Sequence, residues 1–184
     1  MRAVVVYESM YGNTHLIADA IGTGLAQGFD VTVVPVADAD KAVVADADLV
    51  VVGGPTHVHG MSRSSTRKGA VDAAAKAAGE LTLEPGAGGP GLREWLDALG
   101  KCRPHAKAAA FDTRMAAPAA ITGRASKGVG RELRHHGFEL VTEPESFIVT
   151  KENHLVGEEG DRARTWGARL AAIASPAGRP VGGS

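Results

Sequence analysis

The sequence predicts an α/β fold in which helices cover both faces of a doubly wound, five-stranded parallel sheet. Short apolar runs rich in Val alternate with helical patterns, and several runs end at turns that contain Gly or Pro. Such runs are typical of parallel strands buried on both faces. With 184 residues, 44% of them hydrophobic, the chain is long enough for one well-buried core. We expect one domain over residues 1–174 and a disordered tail at 175–184, which is rich in Pro and Gly.

The first half of the chain supplies three strands separated by two helices. The strands are predicted at 3–7, 31–36 and 48–54, and the helices at 14–26 and 38–47. Pro35 lacks a backbone donor, which places the second strand, or at least its end, at a sheet edge. The third strand stops at a Gly-Gly-Pro turn. The βαβαβ alternation is therefore complete by residue 54.

The second half continues the alternation with two weaker strands. Strands are predicted at 106–111 and 145–150, and helices around Trp95, near 122–136 and at 158–174. Alternating strands and helices imply right-handed crossovers and a parallel sheet. Ligands of such folds bind beyond the carboxyl ends of the strands. The loops in that position are 8–14, 54–61 and 111–118.

Residues 62–91 do not fit this minimal plan. An Ala-rich helical pattern is followed by a connector rich in Gly and Pro, and we interpret the segment as a helical insertion after the third strand. It is either a mobile flap beside the third-strand loop or a surface helix and linker without function.

Composition excludes several classes of function. The formal net charge of -1 and the pI of about 6.7 give no sign of the basic face that nucleic acids or anionic membranes require. No apolar stretch approaches the roughly 20 residues that span a bilayer. The single cysteine, Cys102, cannot form an intramolecular disulfide, and the first residues lack a signal-peptide layout. We expect a cytoplasmic protein.

The loop from Glu8 to Thr14 has a composition suited to a phosphate. A helix N-terminus favours an anion through its unpaired N–H groups and its dipole. Ser9 and Thr14 supply hydroxyl donors, and Asn13 supplies an amide. Gly12 allows close approach of the backbone. Because the loop contains no Lys or Arg, it indicates a monophosphate bound by neutral donors rather than a Walker-type site. The alternative is an ordinary tight turn.

This loop and its flanks resemble the flavodoxin family. In that family a strand ending in an aromatic residue is followed by a Ser- or Thr-rich loop, a small residue, a Thr that opens the helix and an Ala four positions later. The matching residues are Tyr7, Ser9, Gly12, Thr14, Ala18 and Ile21. The resemblance covers residues 1–61 and roughly 92–174. It implies a strand order of 2-1-3-4-5 and FMN as the cofactor, with its phosphate on the first loop.

The resemblance also implies a position for the flavin ring, between the loops Pro55–Met61 and Asp112–Pro118. The cofactor-binding residues that it implies are Ser9, Met10, Tyr11, Gly12, Asn13, Thr14, Pro55, Thr56, His57, Val58, His59, Gly60, Asp112, Thr113, Arg114 and Met115.

The ring loops depart from the pattern of many electron-carrying flavodoxins. Neither contains the Trp or Tyr that sandwiches the ring in those proteins, and the chain is not strongly acidic. Arg114, together with Arg63 and Arg67 of the insertion, would place positive charge near the ring and favour an anionic reduced flavin. We therefore favour a small flavin-dependent oxidoreductase of the quinone type. A one-electron carrier flavodoxin and a non-redox flavin-binding module are the alternatives.

The enzyme hypothesis implies NAD(P)H as electron donor and a quinone or similar small molecule as acceptor. The carrier hypothesis implies a redox partner protein. The sequence leaves the oligomeric state open, including a homodimer formed through the insertion. The catalytic candidates are His57 and His59, because the near-neutral pKa of histidine suits proton delivery.

The other reactive side chains are given structural roles. His57 and His59 lack an identifiable third ligand, so no metal site is expected. His135 and His136 close a helix, where a cation complements the dipole. Cys102 is interpreted as a packing residue. The two tryptophans, Trp95 and Trp166, lie among apolar helical positions and are predicted to belong to the core rather than to clamp a flavin.

Overall fold

Six strands form one sheet in the computed structural model, which describes residues 1–57, 59–77 and 81–175. The strands are β1 (Arg2–Tyr7), β2 (Asp30–Pro35), β3 (Leu49–Pro55), β4 (Lys107–Met115), β5 (Glu139–Leu140) and β6 (Glu145–Val149). The helices are α1 (Asn13–Leu25), α2 (Lys41–Ala45), α3 (Ser64–Lys76), α4 (Leu92–Leu99), α5 (Ala119–Thr122), α6 (Ala125–His135) and α7 (Glu159–Ala174). The tail from residue 176, predicted to be disordered, lies outside the described residues.

The strand order β2-β1-β3-β4-β5 confirms the predicted topology, and every strand pair is parallel. β2 lies at one edge and ends at Pro35, as the missing donor of proline requires. Tyr7 pairs with Gly53, and Gly54 pairs with Asp112. This register brings the carboxyl ends of β1, β3 and β4 together at one edge of the sheet.

The sheet has a sixth strand beyond the five expected, because two short strands share the side of β4 that faces away from β3. β5 pairs with the start of β4, and β6 pairs with its end. The break at 141–144 contains Pro144, which cannot donate to a strand ladder. β4 is also longer than predicted: Asp112, Thr113 and Arg114, assigned to a loop from the sequence, belong to the strand.

Two cores lie on opposite faces of the sheet. Val5 of β1 packs with α1 and α7 in one core, whereas Val4 and Val6 pack with α4 and α6 in the other. Trp166 is 3% exposed in the first core, and the half-buried Trp95 packs against the second. Both tryptophans are therefore packing residues, as predicted. None of the described helices is long and apolar enough to cross a membrane.

Gly123 divides the single helix predicted near 122–136 into α5 and α6. Its φ of 74° lies in the left-handed region of the backbone, which residues other than glycine rarely adopt. A Cβ atom at Gly123 would collide with the backbone of His59, with which it forms a β-bridge. This close approach attaches the loop after β3 to the start of α6.

Candidate functional site

A cavity of about 200 Å³ lies at the carboxyl edge of the sheet, where the ligand-binding loops were predicted. It is lined by Ser9, Met10, Tyr11, Asn13, Thr14, Pro55, Thr56, His57, Thr113, Arg114, Met115, Val149 and Asn153. The structure thus brings together residues of all three predicted loops, which are separated by dozens of residues in sequence.

The other predicted site residues that the structure describes do not line this cavity. Gly12 is the N-cap of α1 with a φ of 93°, a left-handed conformation suited to glycine. Asp112 is fully buried, and its Oδ2 accepts a hydrogen bond from the Ser126 N–H at 2.7 Å. His59 and Gly60 line a different concavity. Val58 lies outside the described residues.

The first loop is ordered around the N-terminus of α1. The Gly12 N–H donates to the Ser9 Oγ at 3.1 Å, and the Gly12 carbonyl accepts the first helical bond from the Leu16 N–H. The N–H groups of a helix's first turn have no partner within the helix. No side chain of the described residues caps α1. The loop therefore presents backbone donors and the positive end of the helix dipole.

Hydrogen bonds from side chains tie this loop to β4 and to the segment after β6. The buried hydroxyls of Thr14 and Thr113 lie 2.7 Å apart. The Asn13 amide donates to the carbonyl and the Oδ1 of Asn153, at 2.8 and 3.0 Å. Asn13 was expected to donate to a phosphate, but in this structure its amide fastens the first loop to the segment after β6.

The loop after β3 is a tight turn. His57 and Gly60 exchange backbone hydrogen bonds of 2.8 and 3.0 Å. The Thr56 N–H donates to the Thr113 carbonyl at 2.8 Å, and its Oγ1 accepts from the Ala125 N–H at 2.9 Å. Together with Asp112, Thr56 therefore satisfies the N-terminus of α6.

The charges near the cavity differ from the sequence-based expectation. Arg114 lines the cavity, and its guanidinium donates to the Ala117 carbonyl at 2.6 Å. Arg67 is 4% exposed and points into the protein, where it donates to Ser62 and forms an ion pair with Glu94 at 2.9 Å. Arg63 is exposed at the N-cap of α3. Only Arg114 of these three arginines therefore reaches the cavity wall.

Comparison with known proteins identifies this architecture. The flavodoxin family model matches residues 5–86. A flavodoxin from the domain Archaea has the same fold, with a TM-score of 0.65 at 21% identity over 95% of this chain and 99% of that one. The chain has a flavodoxin-like fold. The family match ends inside residues 62–91, so most of the segment interpreted as an insertion falls within the match.

Two further solved structures share the flavodoxin-like fold. A WrbA-like flavodoxin from Agrobacterium tumefaciens has a TM-score of 0.58 at 22% identity, covering 94% of this chain and 96% of that one. The flavodiiron protein from Giardia intestinalis has a TM-score of 0.60 at 23% identity, and it matches 94% of this chain but 36% of its own. At these identities the likeness establishes the fold alone. No curated protein matches the chain.

Burial displaces the pKa of two titratable groups on the cavity wall of the flavodoxin-like chain, raising that of the Tyr11 phenol and lowering that of His57. Burial lowers the pKa of its imidazole, the carboxylate of Glu8 opposes this shift, and the cation of Arg67 adds to it. Its Nε2 atom is buried and has no hydrogen-bond partner within the described residues. A His with a lowered pKa is neutral at pH 7, so it can either donate or accept at that atom.

A buried carboxylate supports this wall from behind. Glu8 is 4% exposed, and its Oε2 accepts from the Leu92 N–H at 2.8 Å at the start of α4. A Cβ atom at Gly91 would lie 2.6 Å from the same oxygen and 2.5 Å from the Arg67 guanidinium. Gly91 therefore permits the acid and the cation to approach the same stretch of backbone.

The segment 62–91 packs onto the first loop of the flavodoxin-like chain. The Tyr11 hydroxyl donates to the Ala70 carbonyl at 2.9 Å, and the Glu84 N–H donates to the Met10 carbonyl at 2.9 Å. The Glu84 carboxylate contacts the His15 Nδ1 at 3.2 Å. Both α3 and the connector after it thus help to hold the loop.

Sequence reasoning missed Val149 and Asn153, which complete the cavity. The available signal was the predicted strand at 145–150: in a parallel sheet, the loop after it must reach the same edge as the others. Glu8 and Arg67 carried no signal for their buried contacts, because charged side chains are seldom buried. Among the described residues, no three His, Cys, Asp or Glu side chains are grouped as metal ligands.

Proposed function

We propose that the flavodoxin-like chain binds FMN in this cavity and acts as a flavin-dependent redox protein. The observation that carries the proposal is the junction of a helix N-terminus, presenting neutral donors, with the carboxyl ends of the parallel strands. Ser9 and Thr14 have hydroxyls at this junction, and Gly12 leaves the backbone accessible. A phosphate is the anion that such a junction binds most readily.

The dimensions of the site fit a cofactor with a polar end and a flat end. The first cavity, of about 200 Å³, adjoins a second of about 570 Å³ with which it shares Tyr11, Met115, Val149 and Asn153. Ligand pockets commonly measure roughly 300–1,000 Å³. The phosphate would be held by the loop Ser9–Thr14, and the ring would lie beside His57 and Met115.

The residues around the proposed ring position favour an oxidoreductase of the quinone type. Arg114 brings positive charge, and no carboxylate lines the first cavity in the part of the chain that the structure describes. Positive charge stabilises an anionic reduced cofactor, whereas a low-potential carrier needs the opposite. When bound, FMN would supply the electron transfer, between a donor such as NAD(P)H and a quinone or similar acceptor.

His57 is our candidate for handling a proton at the ring. Its neutral imidazole lies on the cavity wall, and its Nε2 lacks a protein partner in the described part of the chain. A neutral imidazole can accept a proton at this atom or donate its N–H from it, depending on the tautomer. His59, the second candidate, lines the other concavity.

A one-electron carrier is the second candidate function, and the rim of the site favours it. Met115 is 47% exposed at the cavity, and Ile121 is 65% exposed on the following helix. Exposed apolar side chains beside a cofactor suit docking of a redox partner protein.

The first experiment titrates flavin-free protein with FMN and with riboflavin, which lacks the phosphate. The proposal predicts that FMN binds and that riboflavin binds at least tenfold more weakly. Failure to take up FMN would refute the proposal.

The second experiment follows anaerobic reduction of the FMN-loaded protein by absorbance. Direct reduction by NADH or NADPH and turnover with a quinone would support the enzyme. Stepwise one-electron reduction without nicotinamide oxidation would support the carrier. Bound flavin that exchanges electrons slowly with every donor would support the non-redox flavin-binding module.

A further inference from the structure

Another concavity, distinct from the two cavities of the proposed FMN site, lies on the other side of the turn that begins at His57 and ends at Gly60. It measures about 550 Å³ and is lined by His59, Gly60, Met61, Arg93, Ala120, Gly123, Arg124, Lys127, Gly128, Arg131 and Glu132. His57 faces the first cavity, whereas His59 and Gly60 face this one. The first cavity and this concavity therefore share the turn as a wall. We call the concavity the basic pocket.

The basic pocket has a strong excess of positive charge. Four of its lining residues are Lys or Arg, and one, Glu132, is acidic. Lys127 and Arg131 are exposed and form no ion pair with any residue that the structure describes. The chain as a whole carries a net charge of -1, so this excess is local.

Three of the cations lie close together at the start of α6. Lys127 and Arg131 are four residues apart on one face of the helix, and Arg124 is the N-cap residue three positions before Lys127. Like charges at this spacing destabilise a helix. From the first to the last they extend over about 10 Å of helix. This arrangement suits an elongated anion with more than one charged group.

Two of the four cations are already held in position. The Arg124 guanidinium donates to the Ser146 Oγ at 3.0 Å and to the Pro144 carbonyl at 2.7 Å. Arg93 reaches across from α4 to the Met61 carbonyl at 3.5 Å, while its buried Nε has no partner among the described residues. Guanidinium groups positioned on α4 and at the start of α6 suit the geometry of phosphate oxygens.

The first two N–H groups of α6 are already paired within the protein. The Ala125 and Ser126 N–H groups already donate to Thr56 and Asp112. Binding in the basic pocket would therefore depend on the side-chain cations. The volume of about 550 Å³ falls in the range of small-molecule pockets, which favours a small ligand over the surface of an acidic protein.

We propose that the basic pocket binds the diphosphate group of a small molecule. This site is separate from the flavin cavity and does not depend on the proposed function. The diphosphate could belong to inorganic pyrophosphate or to a nucleotide, and both present the same chemistry to Arg124, Lys127 and Arg131.

The test is calorimetric titration of the full chain with inorganic pyrophosphate, repeated in the presence of saturating FMN. The proposal predicts saturable binding that FMN does not displace, and weaker binding of orthophosphate. The double variant Lys127→Ala/Arg131→Ala should bind pyrophosphate at least tenfold more weakly. Arg134→Ala removes an exposed cation of α6 outside the pocket and should change the affinity by less than twofold.

Three results would overturn the proposal: absence of pyrophosphate binding, displacement by FMN, or an equal loss in Arg134→Ala. A parallel FMN titration of the double variant keeps the two proposals distinct, because flavin uptake should be unchanged. Thermal unfolding checks that each variant is folded. A titration with ADP separates the sources: tighter binding than pyrophosphate supports a nucleotide, and weaker binding supports inorganic pyrophosphate.

Discussion

The first cavity and the basic pocket lie on two sides of one turn, yet they are built by different physics. The first presents hydroxyls and backbone N–H groups, with Arg114 as its one permanently charged lining residue among those described. The basic pocket presents four cations. One site would recognise an anion through fixed donors in an ordered loop, and the other through charge.

The difference arises from whether the charged side chains of each region are buried or exposed. Behind the first cavity, charged groups are buried against partners: Arg67 pairs with Glu94, and Glu8 accepts from Leu92. Around α6, Lys127 and Arg131 remain exposed. A buried, partnered charge fixes geometry, whereas an exposed one attracts an anion but is screened by salt.

The largest effect is expected from removing the buried cation behind the first cavity. Arg67→Met should lower the free energy of unfolding by about 3 kcal/mol, because the buried Glu8 would lose its neighbouring cation. We place the effect at the lower end of the usual range since the Glu94 side chain is 42% exposed and can be solvated.

Urea unfolding measures this effect, with the exposed Arg63→Met as the matched control. A loss below about 1 kcal/mol in Arg67→Met would show that the interior ion network does not support the cavity.

Thr14→Val should have the next largest effect. The Thr113 hydroxyl would be left buried without its partner at 2.7 Å, which costs about 1–3 kcal/mol. FMN affinity should fall as well, because the loop loses a donor. Unfolding and flavin titration of this variant, of Thr113→Val and of the double variant give the coupling energy.

Thr23→Val, on the exposed side of α1, is the control and should stay within about 0.5 kcal/mol of the wild type. Additive effects of the Thr14 and Thr113 substitutions would contradict an energetic link between the first loop and β4.

Salt should weaken ligand binding at the two sites to different degrees. Raising NaCl from about 50 to about 200 mM shortens the screening length, so pyrophosphate affinity should fall by a larger factor than FMN affinity. Calorimetry at both salt concentrations measures the two ratios. Equal ratios would mean that charge dominates both sites and that the contrast between them is not real.

The smallest effect concerns His57. Because burial lowers its pKa in the folded state, the unfolded chain binds the proton more readily. The stability associated with the neutral imidazole is therefore present above the ordinary His pKa of about 6.5 and is lost as pH falls through the lower folded value.

Between about pH 7 and pH 5, the wild type should lose more stability than His57→Gln. Urea unfolding at both pH values measures this difference, and His105→Gln, an exposed histidine, is the control. If wild type and His57→Gln lose the same stability between the two pH values, burial of His57 does not contribute to the pH dependence of stability.

Much of the fold was predictable because its signals are local. Pro35 placed β2 at an edge, and the Val-rich runs located the three strands that meet at the site. The divided edge strand was not predictable, since two residues such as Glu139 and Leu140 carry too little periodicity. The loop 8–14 could be identified because its donors are adjacent in sequence.

The sequence by itself determined the strand order through its resemblance, and the donors of the first loop through their types. Tertiary structure alone decided what those donors do: Asn13 bonds Asn153, Thr14 bonds Thr113, and Arg67 points inward. It also assembled the basic pocket from α4, α6 and the turn after β3. The physical reason is that a buried polar group must find a partner, and that partner is set by packing between residues far apart in the chain.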